Sequence, residues 1–490
     1  MTGTRHYGLG LGLGLIGALI GWSSTAQEVV TKQYDNGGLY EGSFRDGKQD
    51  GHGSYRLPSG FEYDGEWVNG TMQGPGRAKY PNGAIYEGNF SAGKPDGQGR
   101  IVFADGSSYD GGWVAGQMTG AGTLRLADGT TYTGRFVNGT RDGQGVLSRP
   151  DGYRCEGDWS QGQPQGRVRI GYPDGSTYEG EMQGGKRAGK GRMTMPDGLV
   201  YEGDWRDGQM TGTGHLVQPD GDSYRGGMKD GKRDGTGRLD YANGDSYEGG
   251  FVADRRQGRG VFRGADGYSY DGDWIDGHVE GQGRATYPDG TVYEGGFRND
   301  QPDGAGRITY KDGSSYQGSW SQGTIEGSGS AHYPSGQTYE GSFAHGRMNG
   351  PGKMTASDGT VYDGDWVDGR REGQGRIAFP DGSGYEGGFV AGLPSGTGIF
   401  TMRNGFRYEG SWLAGRMQGE GKAHYANGDT YEGSFAAGRR NGQGTLRSRR
   451  GAIAAGIWSA DALTQPDTDA SSKKPPLGTP TPQLPETALP

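Results

Sequence analysis

Residues 362–384 read YDGDWVDGRREGQGRIAFPDGSG, and this stretch decides the fold because its pattern recurs along most of the chain. A Tyr-x-Gly motif returns every 23 residues from Tyr40 to Tyr431, with Cys155 in place of one tyrosine. Eighteen such units fill residues 40–453 without an insertion or a deletion. A fixed period of this length is typical of repeat proteins, whose units are supersecondary structures that stack on one another.

Each unit can be divided into two strands when its residues are numbered from the tyrosine as position 1. Position 3 is always Gly, position 5 is Trp, Phe or Met, positions 12 and 21 are always Gly, and position 14 is Gly except at Val168. Positions 1, 3 and 5 share the period of two that places alternate residues on one face of a strand, and positions 12, 14, 16 and 18 do the same. The sequence therefore predicts a β-hairpin in every unit.

The same numbering predicts the turns and the register. We expect a Gly-containing loop, such as residues 45–50, inside each hairpin. Between hairpins we expect a three-residue connection, such as residues 173–175, that forms a type I turn closed by a left-handed Gly. Position 1 should face position 16, 3 should face 14, and 2 should face 15 on the opposite surface. Position 2 is mostly acidic and position 15 often basic, which predicts the cross-strand pairs Glu87/Arg100, Glu179/Arg192, Glu294/Arg307 and Asp363/Arg376.

The glycines and the aromatic residues have a common explanation. Glycine normally weakens a strand, but two facing glycines would leave a trough on the aromatic face. We expect the rings at positions 1 and 5 to lie in this trough and to bury area against backbone, in place of the core that a single-layer sheet lacks. This would account for 107 glycines beside an aromatic fraction of 11%.

The pattern resembles the MORN (membrane occupation and recognition nexus) repeat, in a bacterial-type secreted array without a fused catalytic domain. The resemblance covers residues 40–453 and rests on Tyr-x-Gly-x-Trp/Phe, the glycine series and Asp-Gly. It implies an all-β fold, an elongated, twisted single-layer antiparallel β-meander of about 18 tandem 23-residue hairpins. The departures, where we expect local softening, are Cys155 for Tyr, Val168 for Gly, Met182 and Met228 at position 5, and Asp254 and Asp300 for Gly at position 8.

The segments outside the repeats have their own signatures. Residues 1–26 resemble a secretory signal peptide, with an apolar run that is short for a membrane span and small residues before the cleavage point. An uncleaved N-terminal membrane anchor is the alternative. Residues 27–39 are expected to form a cap half-repeat and residues 454–463 a cap strand, since repeat arrays need terminal units that end the pairing. Residues 464–490 are rich in Pro and Thr and are predicted to be disordered.

The sequence contains no recognisable catalytic, cofactor or metal constellation. Seven histidines are scattered, and the single cysteine excludes a multi-cysteine metal site. The net charge of −9 comes from interspersed acids and bases, which argues against nucleic-acid binding. We therefore predict a protein that is not an enzyme and that needs no cofactor.

The sequence favours a non-catalytic scaffold of the cell envelope, periplasmic or extracellular, that mediates protein or membrane-associated assembly through protein partners or self-association. The alternatives are glycan or cell-wall binding through the aromatic rows, and phospholipid binding. The structural interpretation of these rings is that they only pack the sheet. The candidate interaction or packing face comprises Tyr63, Trp67, Tyr109, Trp113, Tyr201, Trp205, Tyr270, Trp274, Tyr316, Trp320, Tyr362, Trp366, Tyr408 and Trp412.

Overall fold

In a computed structural model, residues 28–467 and 480–484 are described, and this part of the chain is all-β, with 39 strands in antiparallel pairs and no helix. The all-β antiparallel meander predicted from the sequence is confirmed. By backbone contacts the described residues divide into two compact units, one of the residues up to 197 with 205–208, and one of residues 198–204 with those from 209 onward. The strand β16 (Val200–Arg206) has residues in both.

The strands alternate between seven and nine residues in every repeat. The first unit contains β1 (Val30–Gln33), β2 (Leu39–Arg45), β3 (Lys48–Arg56), β4 (Glu62–Val68), β5 (Thr71–Lys79), β6 (Ile85–Ser91), β7 (Lys94–Val102), β8 (Ser108–Val114), β9 (Gln117–Arg125), β10 (Thr131–Val137), β11 (Thr140–Ser148), β12 (Arg154–Ser160), β13 (Gln163–Gly171), β14 (Thr177–Gln183) and β15 (Lys186–Thr194).

The second unit continues the alternation to the cap. It contains β17 (Gln209–Val217), β18 (Ser223–Lys229), β19 (Lys232–Asp240), β20 (Ser246–Val252), β21 (Arg255–Arg263), β22 (Ser269–Ile275), β23 (His278–Thr286), β24 (Val292–Arg298), β25 (Gln301–Thr309), β26 (Ser315–Ser321), β27 (Thr324–His332), β28 (Thr338–Ala344), β29 (Arg347–Thr355), β30 (Val361–Val367), β31 (Arg370–Ala378), β32 (Gly384–Val390), β33 (Leu393–Thr401), β34 (Arg407–Leu413), β35 (Arg416–His424), β36 (Thr430–Ala436), β37 (Arg439–Arg447), β38 (Ile453–Ser459) and β39 (Ala462–Pro466).

The turn inside each hairpin is tighter than the sequence predicts. Only two residues, Asp46 and Gly47, separate β2 from β3, and both have positive φ, which is the geometry of a type I′ turn. The predicted loop over residues 45–50 was therefore wrong in length. The extra residues of the second strand are absorbed by a β-bulge, since Gly42 pairs with Gly53 but Phe44 pairs with Gln49.

The bulge explains why position 12 is always glycine. In all repeats this residue has φ between +56° and +102°, a region in which L-residues other than glycine are strained. The connection between repeats is as predicted. For example, Gly60 N–H donates to the Leu57 carbonyl and Leu57 N–H donates to the Phe61 carbonyl, while Gly60 has φ +92°, which is a type I turn closed by a left-handed Gly.

The predicted register is confirmed. Within repeats, Glu87 pairs with Arg100 and Asp363 with Arg376 across the strands, and position 3 lies opposite position 14. Position 15 also lies opposite position 2 of the following repeat, and the ion pairs form there. Arg77 lies 2.9 Å from Glu87 and Arg169 lies 3.1 Å from Glu179, so these acids are paired with the preceding repeat.

The two ends of the array differ from each other. At the N-terminal end, β1 pairs with β2, in the place of the expected half-repeat. At the C-terminal end the expected cap strand is β38, but the chain then turns back as β39, which extends to Pro466. Residues 480–484 also contact the array, so the prediction that all of 464–490 is disordered was wrong for both segments. The predicted signal segment, residues 1–26, lies outside the described residues.

Candidate interaction faces

The tyrosine at position 1 lies over the paired glycines. A β-carbon on Gly42 would lie 2.5 Å from the Tyr40 hydroxyl oxygen, and one on Gly53 would overlap the ring itself. The hydroxyl donates to the backbone carbonyl at position 4, over 2.8–3.3 Å in the 17 repeats that have this tyrosine. The trough predicted from the sequence is therefore filled by the tyrosine ring, which replaces a second layer.

The ring at position 5 joins neighbouring repeats. Tyr293 meets Phe297 of its own repeat at 5.0 Å between ring centres and Trp320 of the next repeat at 5.1 Å, both edge to face. Such pairs contribute about 0.5–1.5 kcal/mol beyond the area they bury. Each of the nine tryptophans in the described residues also donates Nε1–H to the position-14 carbonyl of the preceding repeat, over 2.9–3.3 Å. The polar atom of the indole is therefore satisfied within the sheet.

All fourteen predicted face residues are buried. Their exposed fractions are 7% or less, and Trp320 is the most exposed of them. Within each of the two units, these residues pack in the same layer as the glycine pairs. This burial favours the packing interpretation of the rows.

Cys155 and Val168 form a compensating pair. Gly157 pairs with Val168 across the hairpin, at the two sites that are glycine elsewhere. A β-carbon on Gly157 would lie 2.9 Å from Val168 Cγ1, so the valine occupies the space that a tyrosine hydroxyl fills in other repeats. Both side chains are buried, at 0% for Cys155 and 2% for Val168. The small cysteine and the large valine together keep the trough filled.

Sequence reasoning missed the residues that cover the rings. Position 10 lies opposite position 5, as in the pair Trp366 and Arg371. Arginine at this position stacks on the ring of the next repeat: the Arg256 guanidinium carbon lies 4.3 Å from the Trp274 ring centre, and Arg187 lies 4.4 Å from Trp205. Position 10 is Arg, Met, Pro, Val, Ile or Gln in different repeats, and this mixture hid the role, because these residues share only the ability to cover a ring.

Aspartate at position 8 makes contacts that glycine cannot. Asp254 has φ +72°, and its carboxylate accepts hydrogen bonds from the Arg233 backbone N–H at 2.9 Å and from Nε at 3.2 Å. Asp300 accepts from the Val279 N–H at 2.7 Å and lies 2.7 Å from His278 Nδ1. Where we expected softening, the structure shows additional bonds to the preceding repeat.

Position 11 provides a further link between repeats. In at least eleven repeats its side chain accepts a hydrogen bond from the backbone N–H at position 7 of the next type I′ turn, as Asp96 does from Ala115 at 3.0 Å and Glu372 from Ala391 at 2.8 Å. A strained turn is thus held by a side chain of the repeat before it.

Burial changes the acidity of the tyrosines. Loss of hydration raises the pKa of Tyr40, Tyr109 and Tyr247 to about 12, because the charged phenolate is disfavoured in the packed layer. The pKa of Cys155 is raised for the same reason. A high pKa leaves this thiol protonated near neutral pH, which is the opposite of what a nucleophile requires.

The opposite surface of the sheet is charged and exposed. We call it the charged face, formed by positions 2, 4, 13 and 15. In the second unit a shallow groove runs over the glycine backbone there, and its charged lining residues are Arg259, Asp271, Arg284, Glu294 and Arg307. Arg284 lies 3.5 Å from Glu294, and both side chains are more than half exposed. On this face position 2 is Glu or Asp in fifteen of the eighteen repeats, and position 15 is Arg or Lys in ten.

A second row of rings follows position 18 on the aromatic face, and we call it the position-18 row. Tyr268 of one repeat lies 5.7 Å from Tyr287 at position 18 of the next. Tyr310 is 39% exposed, whereas Tyr425 is only 5% exposed. Unlike the rows at positions 1 and 5, this row is accessible over part of its length.

The described residues contain neither a metal-binding cluster nor a membrane-spanning helix. No cluster of three or more His, Cys, Asp or Glu side chains is placed to hold a metal ion there. Nor do residues 28–467 and 480–484 include a helix of the length and apolarity that a membrane crossing requires.

The fold and these faces define a tandem-hairpin repeat protein. The family model of the MORN repeat matches eighteen consecutive segments, and the chain belongs to the MORN repeat family. MORN repeats form interaction scaffolds and are in general non-catalytic. The matched residues are 40–61, 63–85, 86–108, 109–131, 132–152, 155–177, 178–200, 201–223, 224–246, 247–267, 270–292, 293–315, 316–338, 339–361, 362–384, 385–407, 408–430 and 431–453.

Comparison with curated proteins gives no match. Among solved structures, the chain is similar to the TCP domain of Drosophila melanogaster SAS-4 (dCPAP) in complex with a proline-rich motif of Ana2 (dSTIL), with 15% identity, 44% of this chain and 99% of that chain covered, and a TM-score of 0.19. It is also similar to the TCP10 domain of Danio rerio CPAP in complex with a STIL peptide, with 15% identity, coverages of 69% and 100%, and a TM-score of 0.13. A streptogramin B lyase matches at 14% identity, with coverages of 59% and 90% and a TM-score of 0.11.

Proposed function

We propose that this MORN protein is a non-catalytic scaffold of the cell envelope that assembles protein partners along its charged face. The observation that carries the proposal is that two rows of rings on the aromatic face are buried by packing whereas the charged face is exposed. The rings at positions 1 and 5 are buried in the sheet and are not accessible to a partner. The Glu, Asp, Arg and Lys residues at positions 2 and 15 remain exposed and recur at the repeat spacing. Weak contacts repeated along one chain add through effective concentration.

The envelope assignment has separate support. It rests on the signal-like sequence of residues 1–26, with periplasmic or extracellular location as the expected result. Fractionation of the native cells and determination of the N-terminal residue of the mature chain test it. A chain recovered intact from the cytosol would contradict it, and a chain that is held in the membrane by uncleaved residues 1–26 would support the anchor alternative.

The charged face can be tested by crosslinking in intact cells. A photoreactive residue replaces Arg307 on the charged face, and the matched control replaces Tyr310, which is exposed on the aromatic face. We expect protein adducts at position 307 and few at position 310. Adducts confined to position 310, or adducts of lipid or glycan at position 307, would contradict the proposal.

A charge swap separates partner binding from stability. In Arg284→Glu with Glu294→Arg, the local ion pair is kept but the pattern presented to a partner is inverted. We expect the thermal midpoint to stay unchanged while adduct yield at position 307 falls. Unchanged yield would mean that the charges only pair within the sheet.

Glycan binding through the aromatic rows predicts a different result. Trp320→Ala should then abolish retention on peptidoglycan while leaving the fold intact. Because Trp320 is buried and donates to the Gly306 carbonyl at 3.3 Å, we expect this variant mainly to lose stability. Flotation with phospholipid vesicles at low and high salt tests the lipid alternative.

A further inference from the structure

The segment of residues 480–484 contacts the last repeats of the array. Its sequence is Pro-Thr-Pro-Gln-Leu, and Thr481 is 6% exposed. The Thr481 hydroxyl donates to Asp461 Oδ1 at 2.8 Å and lies 3.3 Å from the Tyr425 hydroxyl. Gln483 Nε2 donates to the Gly438 carbonyl at 2.7 Å. A short uncharged segment thus makes three side-chain contacts with residues from three different hairpins.

These contacts bury groups that are open elsewhere in the array. Arg440 and Asp461 form the same pair as Arg233 and Asp254, with matching bonds from the arginine backbone N–H and Nε. The side chains of Arg440 and Asp461 are 1% and 18% exposed, whereas those of Arg233 and Asp254 are 19% and 45% exposed. The segment therefore covers one member of a motif that the array uses twice.

Two residues distinguish the covered copy. At position 18 of the preceding repeat it has Tyr425, where the other copy has Gln218. At position 5 of the following unit it has Trp458, where the other copy has Phe251. The Arg440 guanidinium lies 5.7 Å from the Tyr425 ring centre and 4.6 Å from that of Trp458. Tyr425 is also the buried member of the position-18 row. The stacked Arg440 guanidinium, the Tyr425 hydroxyl and the Asp461 carboxylate together form a polar site that binds a hydroxyl group. The Gly438 carbonyl beside them accepts a hydrogen bond from an amide.

We propose that Tyr425, Gly438, Arg440 and Asp461 form a peptide-recognition site for extended, uncharged Pro-Thr-Pro-Gln segments, and that residues 480–484 are its tethered ligand. The site takes threonine by its hydroxyl and glutamine by its amide. It lies on the aromatic face, apart from the charged face on which the proposed scaffold function rests, so either proposal can fail alone. The chain's own segment keeps the site occupied until a peptide of the same chemistry displaces it.

Peptide binding to the full chain tests this site. The probe is a labelled synthetic peptide with the sequence of residues 478–487, followed by fluorescence anisotropy. In Thr481→Ala with Gln483→Ala, the tethered segment loses its contacts and the site is vacated. We expect this variant to bind the peptide at least tenfold more tightly than the unaltered chain, because a short tether gives an effective concentration in the millimolar range. Equal binding to the two chains would overturn the proposal.

A glycine pair provides the matched control. Gly438 and Gly392 both occupy position 8, with φ +78° and +86°. A β-carbon on Gly438 would overlap the Gln483 amide, whereas one on Gly392 would meet nothing within 4 Å. In the vacated chain, Gly438→Ala should weaken peptide binding at least tenfold and Gly392→Ala should leave it unchanged. Equal affinities would refute the site. Thermal unfolding followed by circular dichroism verifies that alanine at positive φ lowers the stability of the two variants equally.

Discussion

Single residues in this protein are constrained mainly by their partners across the hairpin. The facing glycines at positions 3 and 14 exist because a tyrosine ring lies over both of them. At Cys155 the ring is missing, and Val168 takes its volume. The departures from the repeat pattern at Cys155 and Val168 are therefore coupled, because the second substitution compensates for the first.

A double-mutant cycle tests this coupling. Cys155→Tyr should overpack the trough against Val168, and Val168→Gly should leave it empty; each should destabilise by about 1–3 kcal/mol. The double variant should recover most of the loss, because it restores the arrangement of the other repeats. Urea denaturation measures the four free energies of unfolding, those of the parent, the two single variants and the double variant. Additive losses would show that the two sites are independent.

The buried tyrosines predict a response to alkaline pH. The pKa of Tyr109 and Tyr247 is about 12 in the folded chain and near 10 in an unfolded one, so burial of the neutral phenol stabilises the fold fully below about pH 10. This stabilisation is lost as the pH rises from 10 through 12. We expect tyrosinate absorbance and loss of the circular dichroism signal to rise together in that interval. Complete ionisation near pH 10 with the fold intact would contradict the packing of the rings.

Within one hairpin, glycines that look alike in the sequence are required for different structural reasons. Gly304 at position 12 has φ +85° and nothing within 4 Å of the place where a β-carbon would lie. At Gly306, two residues later, a β-carbon would overlap the Tyr293 ring. One glycine is required by backbone conformation and the other by space.

Two alanine variants separate these requirements. Gly304→Ala should cost about 1–2 kcal/mol, the usual penalty of a left-handed L-residue. Gly306→Ala should cost about 3 kcal/mol or more, since it displaces Tyr293 as well as overfilling the trough. Thermal melts of both variants give the comparison. Equal losses would mean that the ring does not occupy the site.

The hairpin was predictable from the sequence to the extent that its signals are local. The residues that alternate with a period of two predicted the strands and the face on which the rings lie. The Asp-Gly pair at the connecting turn, together with this alternation, predicted the register. The type I′ turn was not predictable, because Ala92, Gln161 and His345 adopt positive φ there without belonging to the residues that favour it. Ala92 and His345 are held by Gln73 and Glu326 at position 11 of the preceding repeat, each a contact with a residue 19 positions away in the chain.

The candidate faces were predicted only in part. The fourteen rings are all buried, and the contacts that cover them depend on position 10, whose composition carries no pattern. The docking of Thr481 on Asp461 and Tyr425 was not predictable either. Its composition is that of a disordered tail, and only the three-dimensional placement of distant residues supplies its partners.

For the whole molecule, stability should follow the number of contacts between adjacent repeats. Removing residues 293–315 deletes one complete unit and leaves Tyr270 in register with Trp320. We expect this variant to fold, with a thermal midpoint within about 4 °C of the parent. Removing residues 293–303 instead deletes one strand and reverses the direction of those that follow. That variant should lose cooperative unfolding by circular dichroism, and a cooperative melt would contradict the meander.

The hydrogen bond from position 7 to the side chain at position 11 of the repeat before it has an evolutionary consequence. At least eleven units carry the acceptor that the next turn uses, so a 23-residue duplication of one of these units produces a new junction that is already complete. Array length can drift by whole units without compensating substitutions elsewhere. Selection can therefore change the length of the array without selecting at the same time for restored folding.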